Sequence, residues 1–566
     1  WSFHHSLLDG RSFPLVLDAV FDSYDGAAEA GPIGRPFQDY VDAVNSVDAD
    51  TAGYQQAFWR SYLADLENPT SITLPAPPPD AELAPIAASE RLLDTALSGE
   101  VRSAAASAGV SVNNLVQAAW ILLLHHYSQS SAVVMGTTRA CRHVIDSSDD
   151  MIGLLINTIP FRVDVAADMS VRDLLTTVQS EQRRLRDVET TPLPTINAAS
   201  PLGRTALFDS IVMFDEATLN TRMRSRLGER GAGRTFRYTG QTNFDFTLLA
   251  YNEASMLLRF EYSTARITGD QAGKLLDEYS SLLEGLAANL DCAAVEVPYL
   301  TAPEIDRLGS WNNSAVDYNL DTTLPELFAT QAGTTPDLPA FTFGDQTLTY
   351  AQFDAATNQL GHFLQRQGVK ADLVVGVCAE RSMEMLVAIH AIHKAGGAYV
   401  PLDPDHPMDR LAYMVENSEA HVVLTQGRFA DRFNTGTVIE IDSEQPPWSG
   451  EATTPPATST EASDLAYTLY TSGSTGRPKG AMNEHAGIVN RLLWMQDAFN
   501  IGPDDVVLQK TPFSFDVSVW ELFWPTLVGA HTVIATPSAH KDPAELIEAI
   551  NSAGVTTIHF VPSMLQ

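Results

Sequence analysis

Two adjacent histidines stand near the start of the chain, in the stretch WSFHHSLLDGRS that covers residues 1–12. An imidazole titrates near neutral pH, so either His4 or His5 could act as a general base. Neighbouring side chains in an extended segment point to opposite faces, so we expect only one of the two to face a given site. The same geometry disfavours a metal site made of His4, His5 and Asp9, and the sequence identifies no other cluster of metal ligands. The residues alone leave structural contacts, metal binding and acid–base chemistry open.

A second chemical stretch, TSGSTGRPKG at residues 471–480, directly follows the apolar run LAYTLY. Its glycines permit a close backbone approach, so that successive N–H groups can surround an anion. Lys479 adds a positive charge, and hydroxyl groups come from four residues, Thr471, Ser472, Ser474 and Thr475. The stretch therefore predicts a phosphate-binding loop. It lacks the GxxxxGK[ST] pattern, which disfavours an ordinary P-loop NTPase.

Length and composition limit the possible classes of protein. A chain of 566 residues is too long for one hydrophobic core, and 45% apolar residues is too many for a disordered chain. A net charge of −35 argues against nucleic acid or an anionic membrane surface as partner. The three cysteines are far apart, which predicts neither disulfides nor a thiolate zinc site and fits a cytoplasmic location. No apolar run is long enough to predict a membrane span.

The pattern of elements changes along the chain. Up to about residue 295 short strands mix with helices, which indicates an α+β domain. From about residue 340 apolar strands alternate with helices, which predicts a mostly parallel sheet. The stretch between them is turn-rich and is interpreted as a linker. Residues 443–463 are rich in Pro, Ser and Thr, and we expect a mobile loop there.

The second half of the chain resembles the adenylation domains of nonribosomal peptide synthetases. The resemblance rests on four ordered motifs, LTYAQF (348–353), HKAGGAYVPLDP (393–404), LAYTLYTSGSTGRPKG (465–480) and FSFDVSVWE (513–521). It implies that ATP with Mg²⁺ activates an amino-acid carboxylate, which attacks the α-phosphate. It also implies that the phosphates are held by residues of the glycine-rich loop, namely Thr471, Ser472, Gly473, Ser474, Thr475, Gly476 and Lys479.

In the same family the motif FDVSVW forms a wall of the substrate pocket. By that resemblance Asp516 accepts hydrogen bonds from the α-ammonium group of the substrate. Val517, Trp520 and His559 then line the side-chain pocket and resemble the beginning of serine-activating pockets. The aromatic and aliphatic neighbours of Asp516 disfavour an exposed position. Later family motifs and the subdomain with the catalytic lysine are absent from the chain, so we expect the chain alone to be inactive in adenylation.

The first half of the chain resembles the condensation domains of the same synthetases. HHSLLDG matches their HHxxxDG motif, and further matches follow at PFQDYVDAV (36–44), FWRSYLADLENP (58–69), VVMGTTR (133–139), MIGLLINTIPFRV (151–163), LFDSIVMFDE (207–216) and TNFDFTL (242–248). The resemblance implies that His5 is catalytic, as general base or by orienting the acceptor amine. It implies that Asp9 holds the loop through an internal charge pair and that Gly10 leaves room beside the acyl tunnel. His4 is then expected to pack or to form hydrogen bonds.

Together these resemblances predict a multidomain α/β chain. We expect a chloramphenicol-acetyltransferase-like condensation domain over 1–296 without its N-terminal part, a linker over 297–325, and the first part of an adenylate-forming large subdomain over 326–566. The predicted function is ATP-dependent adenylation of an amino acid, with serine as the candidate, and peptide-bond formation between thioesters. The implied partners are upstream and downstream carrier domains bearing 4'-phosphopantetheine. Two alternatives are a stand-alone acyl- or aryl-adenylating ligase with an unrelated N-terminal domain, and a degenerate carrier-docking module.

Overall fold

A computed structural model describes residues 1–26, 34–77, 85–203, 205–231, 233–238, 240, 242–434, 436–472 and 477–565, with the backbone alone at 230 and 231. The chain forms two compact units, Trp1–Ser314 and Ala315–Gln566. Each unit has its own hydrophobic core.

The first unit is a mixed sheet covered by helices, as the α+β pattern predicts. Its helices are α1 (Ser12–Tyr24), α2 (Phe37–Asn45), α3 (Ala49–Tyr62), α4 (Thr95–Ser107), α5 (Val112–Ser128), α6 (Val171–Arg184), α7 (Leu193–Ala199), α8 (Leu219–Leu227), α9 (Gly269–Ala288) and α10 (Ala302–Asn312). Its strands are β1 (Ile86–Leu92), β2 (Ala132–Ala140), β3 (Ile156–Asp164), β4 (Ser210–Asp215), β5 (Phe246–Tyr251) and β6 (Leu257–Ser263). They pair in the order β1-β6-β5-β4-β2-β3, in which only β2 with β4 and β4 with β5 are parallel.

Helix α5 forms the centre of this unit. Most of its central residues are apolar, and every residue from Asn114 to Leu124 is buried. Trp120 also donates from its indole nitrogen to Ser210 Oγ on β4 at 3.2 Å, which fixes the helix to the sheet. In the part of the chain that the structure describes, no single helix has the length and hydropathy for a membrane span, and the pair α4 and α5 passes that test only with a bend of 102°.

The second unit has two sheets. Its helices are α11 (Leu324–Thr334), α12 (Tyr350–Arg366), α13 (Met383–Ala395), α14 (Met408–Asn417), α15 (His485–Phe499), α16 (Ser518–Val528), α17 (Pro543–Ala553) and α18 (Pro562–Leu565). Its strands are β7 (Pro339–Phe343), β8 (Gln346–Thr349), β9 (Val374–Cys378), β10 (Ala398–Pro401), β11 (Val422–Thr425), β12 (Thr437–Glu440), β13 (Leu465–Thr471), β14 (Lys479–Glu484), β15 (Val506–Gln509) and β16 (His531–Ile534). The larger sheet, β12-β11-β9-β10-β13-β14, is parallel except for its edge strand β14. The predicted mostly parallel sheet is thereby confirmed.

Residues 443–463, which we call the strap, form the expected loop without helices or strands. The strap lies along α12, where polar side chains at helical spacing bind its backbone carbonyls. The contacts are Asn358 Nδ2 to Thr453 O at 2.8 Å, Gln359 Nε2 to Ser449 O at 3.0 Å, His362 Nε2 to Thr454 O at 2.9 Å and Gln365 Nε2 to Ala457 O at 2.8 Å. A turn-rich composition does not show that a helix face supplies such donors, and the mobility of this loop stays a prediction.

Candidate active sites

A buried ion pair stabilises the loop that carries the histidines. Asp9 is 1% exposed, and its two carboxylate oxygens accept from the Arg142 guanidinium at 2.9 and 3.0 Å. Arg142 is also buried, in the short 3-10 helix Cys141–Val144 after β2. Its other terminal nitrogen donates to the carbonyls of Ser148 and Met151. The ion pair therefore joins the histidine loop to the segment that follows β2.

The Asp9 carboxylate also accepts hydrogen bonds from nearby backbone and hydroxyl groups. Its Oδ1 accepts from the N–H of Arg11 at 3.1 Å, and from the N–H and hydroxyl of Ser12 at 2.9 and 2.7 Å. Its Oδ2 accepts from the N–H of Leu155 at 3.1 Å. A carboxylate with this many donors is held as an acceptor, so Asp9 is a structural group in this unit.

The two histidines differ in their contacts. Residues 5–7 form a turn, closed by the N–H of Leu7 donating to His4 O at 3.0 Å, so the extended conformation expected here is wrong. His4 Nδ1 accepts from the N–H of Ser6 and lies 2.7 Å from its hydroxyl. His5 is exposed and has no hydrogen-bond partner among the described residues. The turn thus uses His4 and leaves the His5 imidazole available.

Gly10 follows the buried aspartate and is exposed. A Cβ placed there would meet only the tip of the Phe13 ring, at 4.0 Å, among the described atoms. The space beside Gly10 is open in this unit, and the first unit itself gives no steric reason for a glycine.

The predicted phosphate-binding loop connects the two strands of a hairpin. Strands β13 and β14 are antiparallel, with Thr471 opposite Lys479, and these two residues and Ser472 are exposed. Gly473, Ser474, Thr475 and Gly476 lie outside the described residues. The described hydroxyls and the Lys479 ammonium are suitable donors for an anionic phosphate chain.

Two buried histidines anchor this hairpin to the core. His393 of α13 donates from Nε2 to Ala466 O on β13 at 2.8 Å, and the ring of His485, which opens α15, lies 5.1 Å from that of His393. Leu324 N–H of α11 donates to His485 Nδ1 at 3.4 Å. Burial lowers the pKa of His393 to about 3 and the pKa of His485 to about 4, so both rings are neutral at physiological pH.

The structure brings together part of the predicted substrate pocket. The Trp520 ring of α16 meets the His559 ring edge to face, with centroids 6.3 Å apart and an interplanar angle of 86°. Both residues are half-buried, as is Val517. Burial, and next the Lys510 ammonium, lower the pKa of His559, which favours the neutral imidazole.

Asp516 is exposed, so the expectation that its neighbours bury it is wrong. It lies in the loop before α16, where Phe513 points into the core while Phe515 is 61% exposed. Burial and then the charge of Asp516 raise the pKa of Tyr467 on β13, which is one strand of the phosphate hairpin.

Sequence reasoning did not find Arg142, the partner of Asp9. The two residues are 133 positions apart, and no local pattern distinguishes this arginine from the others. Within the described ranges, no group of three or more His, Cys, Asp or Glu side chains is arranged to hold a metal ion.

Comparisons with known proteins assign both units. The condensation domain family matches residues 1–308, more than half of the chain. The chain belongs to this family. A second family, described as AMP-binding enzyme, matches residues 328–566. Condensation and AMP-binding domains in this order confirm the predicted nonribosomal peptide synthetase family and its enzymatic class.

Several synthetases align with the whole chain. One of the linear gramicidin synthase proteins of Brevibacillus parabrevis is 36% identical over 581 residues, which are 100% of this chain and 7% of that protein. One of the plipastatin synthase proteins of Bacillus subtilis (strain 168) is 32% identical over 581 residues, which are 100% of this chain and 22% of that protein. The chain therefore spans a small part of the length of the curated relatives that it matches.

Solved synthetase structures share the fold. The nonribosomal peptide synthetase FmoA3, in its alpha-methyl-L-serine-AMP bound form, superposes with a TM-score of 0.85 at 21% identity, over 99% of this chain and 63% of that chain. The four-domain synthetase holo-AB3403, bound to AMP and glycine, gives a TM-score of 0.79 at 22% identity, over 99% of this chain and 43% of that chain.

Proposed function

We propose that the full-length protein adenylates serine with ATP and joins it to a carrier-bound acyl or peptidyl group. The observation that carries the proposal is that the two histidines of the loop differ in their contacts. A buried Asp9–Arg142 pair fixes the loop, His4 is used in its turn, and the His5 imidazole is exposed and unpaired among the described residues. An accessible imidazole on a loop that is held in place suits amine chemistry, because it can orient the amine or accept its proton.

In the proposed condensation step the acceptor amine nitrogen attacks the carbonyl carbon of the donor thioester. The carbon–nitrogen bond forms, the carbon–sulfur bond breaks, and the thiol leaves with a proton. His5 orients the amine or accepts its proton through a ring nitrogen. Asp9 takes no proton in this step, because its oxygens are already hydrogen-bonded to Arg142 and to backbone donors.

In the proposed adenylation step a substrate carboxylate oxygen attacks the α-phosphorus of ATP, and pyrophosphate leaves. Lys479, Thr471 and Ser472 would contact the phosphates at the loop end of the hairpin, together with the rest of the loop, Gly473, Ser474, Thr475 and Gly476. Donors fixed by a strand stabilise the charge that develops on the phosphate oxygens. Mg²⁺ bound with the nucleotide would neutralise part of that charge.

The pocket supports serine as the amino acid. Asp516 would accept from the α-ammonium group, Val517 and Trp520 would restrict the size of the side chain, and a neutral His559 could hydrogen-bond a hydroxyl. The edge-to-face contact of Trp520 with His559 supports a small pocket with one polar group. A structure of the same fold is described as binding an α-methyl-L-serine adenylate.

We also propose domain limits and partners. The condensation domain would cover 1–296, the linker 297–325 and the adenylation domain 326–566. Helix α10 lies within this linker. Carrier domains with 4'-phosphopantetheine would deliver the acyl group and receive the amino acid, and the three free cysteines fit a reducing cytoplasm.

ATP–pyrophosphate exchange with the full-length protein tests the adenylation proposal. We expect exchange with serine, and weak exchange with 3-hydroxypropionic acid, which lacks the α-amine that Asp516 would bind. Asp516→Ala should lower the exchange with serine about 10²-fold, since a charge-assisted hydrogen bond in the pocket is lost. Strong exchange with acids that lack an α-amine would contradict this assignment.

A further inference from the structure

Glu521, a residue of α16 with no role in the proposed chemistry, is completely buried, with 0% of its surface exposed. Its Oε2 accepts from the N–H groups of Lys510 and Thr511 at 3.1 and 2.9 Å, and its Oε1 accepts from the Thr511 hydroxyl at 2.7 Å. Gln509 Nε2 lies 3.4 Å from Oε2. All these donors belong to the end of β15 or to the residues just after it.

These contacts join the two ends of the loop that carries Asp516, the proposed amine-binding residue. The loop leaves β15 at Lys510 and enters α16 at Ser518, and Asp516 lies between the two ends. Glu521 stands in the first turn of α16, so its carboxylate joins the exit of the strand to the start of the helix. Other contacts hold parts of the loop, such as Val519 N–H to Asp516 O at 3.1 Å, Gln509 Nε2 to Thr511 O at 2.8 Å and the Arg381 guanidinium to Lys510 O. Among the described residues, the Glu521 carboxylate is the group that links the strand exit to the first turn of α16.

Packing alone does not explain why this buried position carries a carboxylate and not an apolar side chain. Within the described part of the chain no side-chain nitrogen of Lys or Arg forms an ion pair with Glu521, and the charges of Lys510 and Arg381 act on it at longer range. Burial raises the pKa of Glu521, so the ordered donors must offset its desolvation. An apolar residue would avoid that cost, but it could not bind two backbone N–H groups at the strand end.

We propose that Glu521 is a positioning residue for amino-acid recognition, which fixes Asp516 relative to the phosphate hairpin by holding both ends of its loop. The inference rests on the proposed adenylation function. A misplaced Asp516 would weaken binding of the α-ammonium group and leave the phosphate contacts of Thr471 and Lys479 unchanged. The expected signature is a raised KM for the amino acid with an unchanged KM for ATP.

The experiment measures ATP–pyrophosphate exchange of the full-length protein over separate titrations of serine and ATP. We expect Glu521→Leu to raise the KM for serine on the order of tenfold to a hundredfold, because small displacements of a binding group have effects of that size. Glu521→Gln, which keeps an acceptor for the backbone N–H groups, should restore most of the affinity. Thr511→Val removes one donor and should raise the KM for serine about threefold, a change of about 0.7 kcal/mol.

Tyr350→Phe is the matched control, because Tyr350 fastens the other end of the same helix. Its buried hydroxyl lies 3.0 Å from Pro525 O and 2.8 Å from Ala530 O and shares its one proton between these two carbonyls. We expect this variant to lower stability and to leave the ratio of the two KM values unchanged. Thr511→Val keeps the inference falsifiable if Glu521→Leu fails to fold.

The outcomes separate the inference from the proposed function. Absence of exchange with any α-amino acid in the unmodified protein would contradict the proposed function, and the inference with it. Exchange with serine, but equal rises of both KM values in Glu521→Leu and Thr511→Val, would overturn the inference alone. An unchanged KM for serine in Thr511→Val and Glu521→Leu, or the same KM split in Tyr350→Phe, would also overturn it.

Discussion

Replacement of Arg142 by Met removes the cationic partner of Asp9 with little change in length. Loss of one partner from a buried ion pair costs about 3–5 kcal/mol, because the other charge stays buried. Asp9 keeps four donors, the N–H groups of Arg11, Ser12 and Leu155 and the Ser12 hydroxyl. We therefore expect the lower end of that range, about 3 kcal/mol.

Amide hydrogen exchange measures this loss of stability in the histidine loop itself. Ser12 and Leu155 donate their N–H groups to the Asp9 carboxylate, at 2.9 and 3.1 Å, so their protection reports the opening of the loop. A loss of about 3 kcal/mol corresponds to a fall in protection of about 10²-fold. The double variant Asp9→Asn with Arg142→Met should lose less than the sum of the single variants, since no charge is left unpaired.

The control is an exposed ion pair of the same unit. The guanidinium of Arg172 lies 3.0 Å from Asp291, and the two side chains are 44% and 77% exposed. Arg172→Met should change the protection of Ser12 and Leu155 by less than threefold, as solvent and salt screen such pairs to well under about 1 kcal/mol. Wild-type protection in Arg142→Met would refute the assignment of Asp9 and Arg142 as the support of the histidine loop.

Two further predictions concern the second unit. Since the folded-state pKa values of His393 and His485 are lowered to about 3 and about 4, the unfolded chain binds more protons below about pH 6.5. Stability is therefore lost as the pH falls from about 6.5 to about 4 for His485 and to about 3 for His393, by about 2 kcal/mol for each histidine at pH 5. Hydrogen exchange of β13, corrected for intrinsic rates, checks this, and equal protection at pH 5 and pH 8 would contradict it. Replacing Gln359 and Gln365 by Ala should speed proteolysis within the strap several-fold, and cleavage at the wild-type rate would show that these side chains do not hold it.

The sequence predicts well the features that depend on local patterns. The apolar run LAYTLY before the glycine-rich loop lies in β13, and the strands that alternate with helices after residue 340 form the mostly parallel sheet. The edge strand β14 was not predicted, because its residues alternate weakly and most of them are exposed.

Features made by distant residues could not be predicted in the same way. The Asp9–Arg142 pair, the donors along α12 that bind the strap, and the carboxylate of Glu521 at the end of β15 all depend on tertiary contacts. The turn at His4 is a local feature that the sequence argument missed. An extended backbone was expected here, whereas the N–H of Ser6 donates to His4 Nδ1 two residues earlier and favours a turn.

The most direct test of the account compares His5→Ala with His4→Ala in the full-length protein loaded with both aminoacyl substrates. The measurement is the rate at which peptidyl thioester forms, with ATP–pyrophosphate exchange as the control for adenylation. We expect His5→Ala to lower that rate on the order of 10²-fold or more with exchange unchanged, since general acid–base groups contribute about 10²–10⁴-fold. His4→Ala should cost less, because His4 contacts Ser6 within the turn. Peptide-bond formation at the wild-type rate in His5→Ala would contradict the central claim.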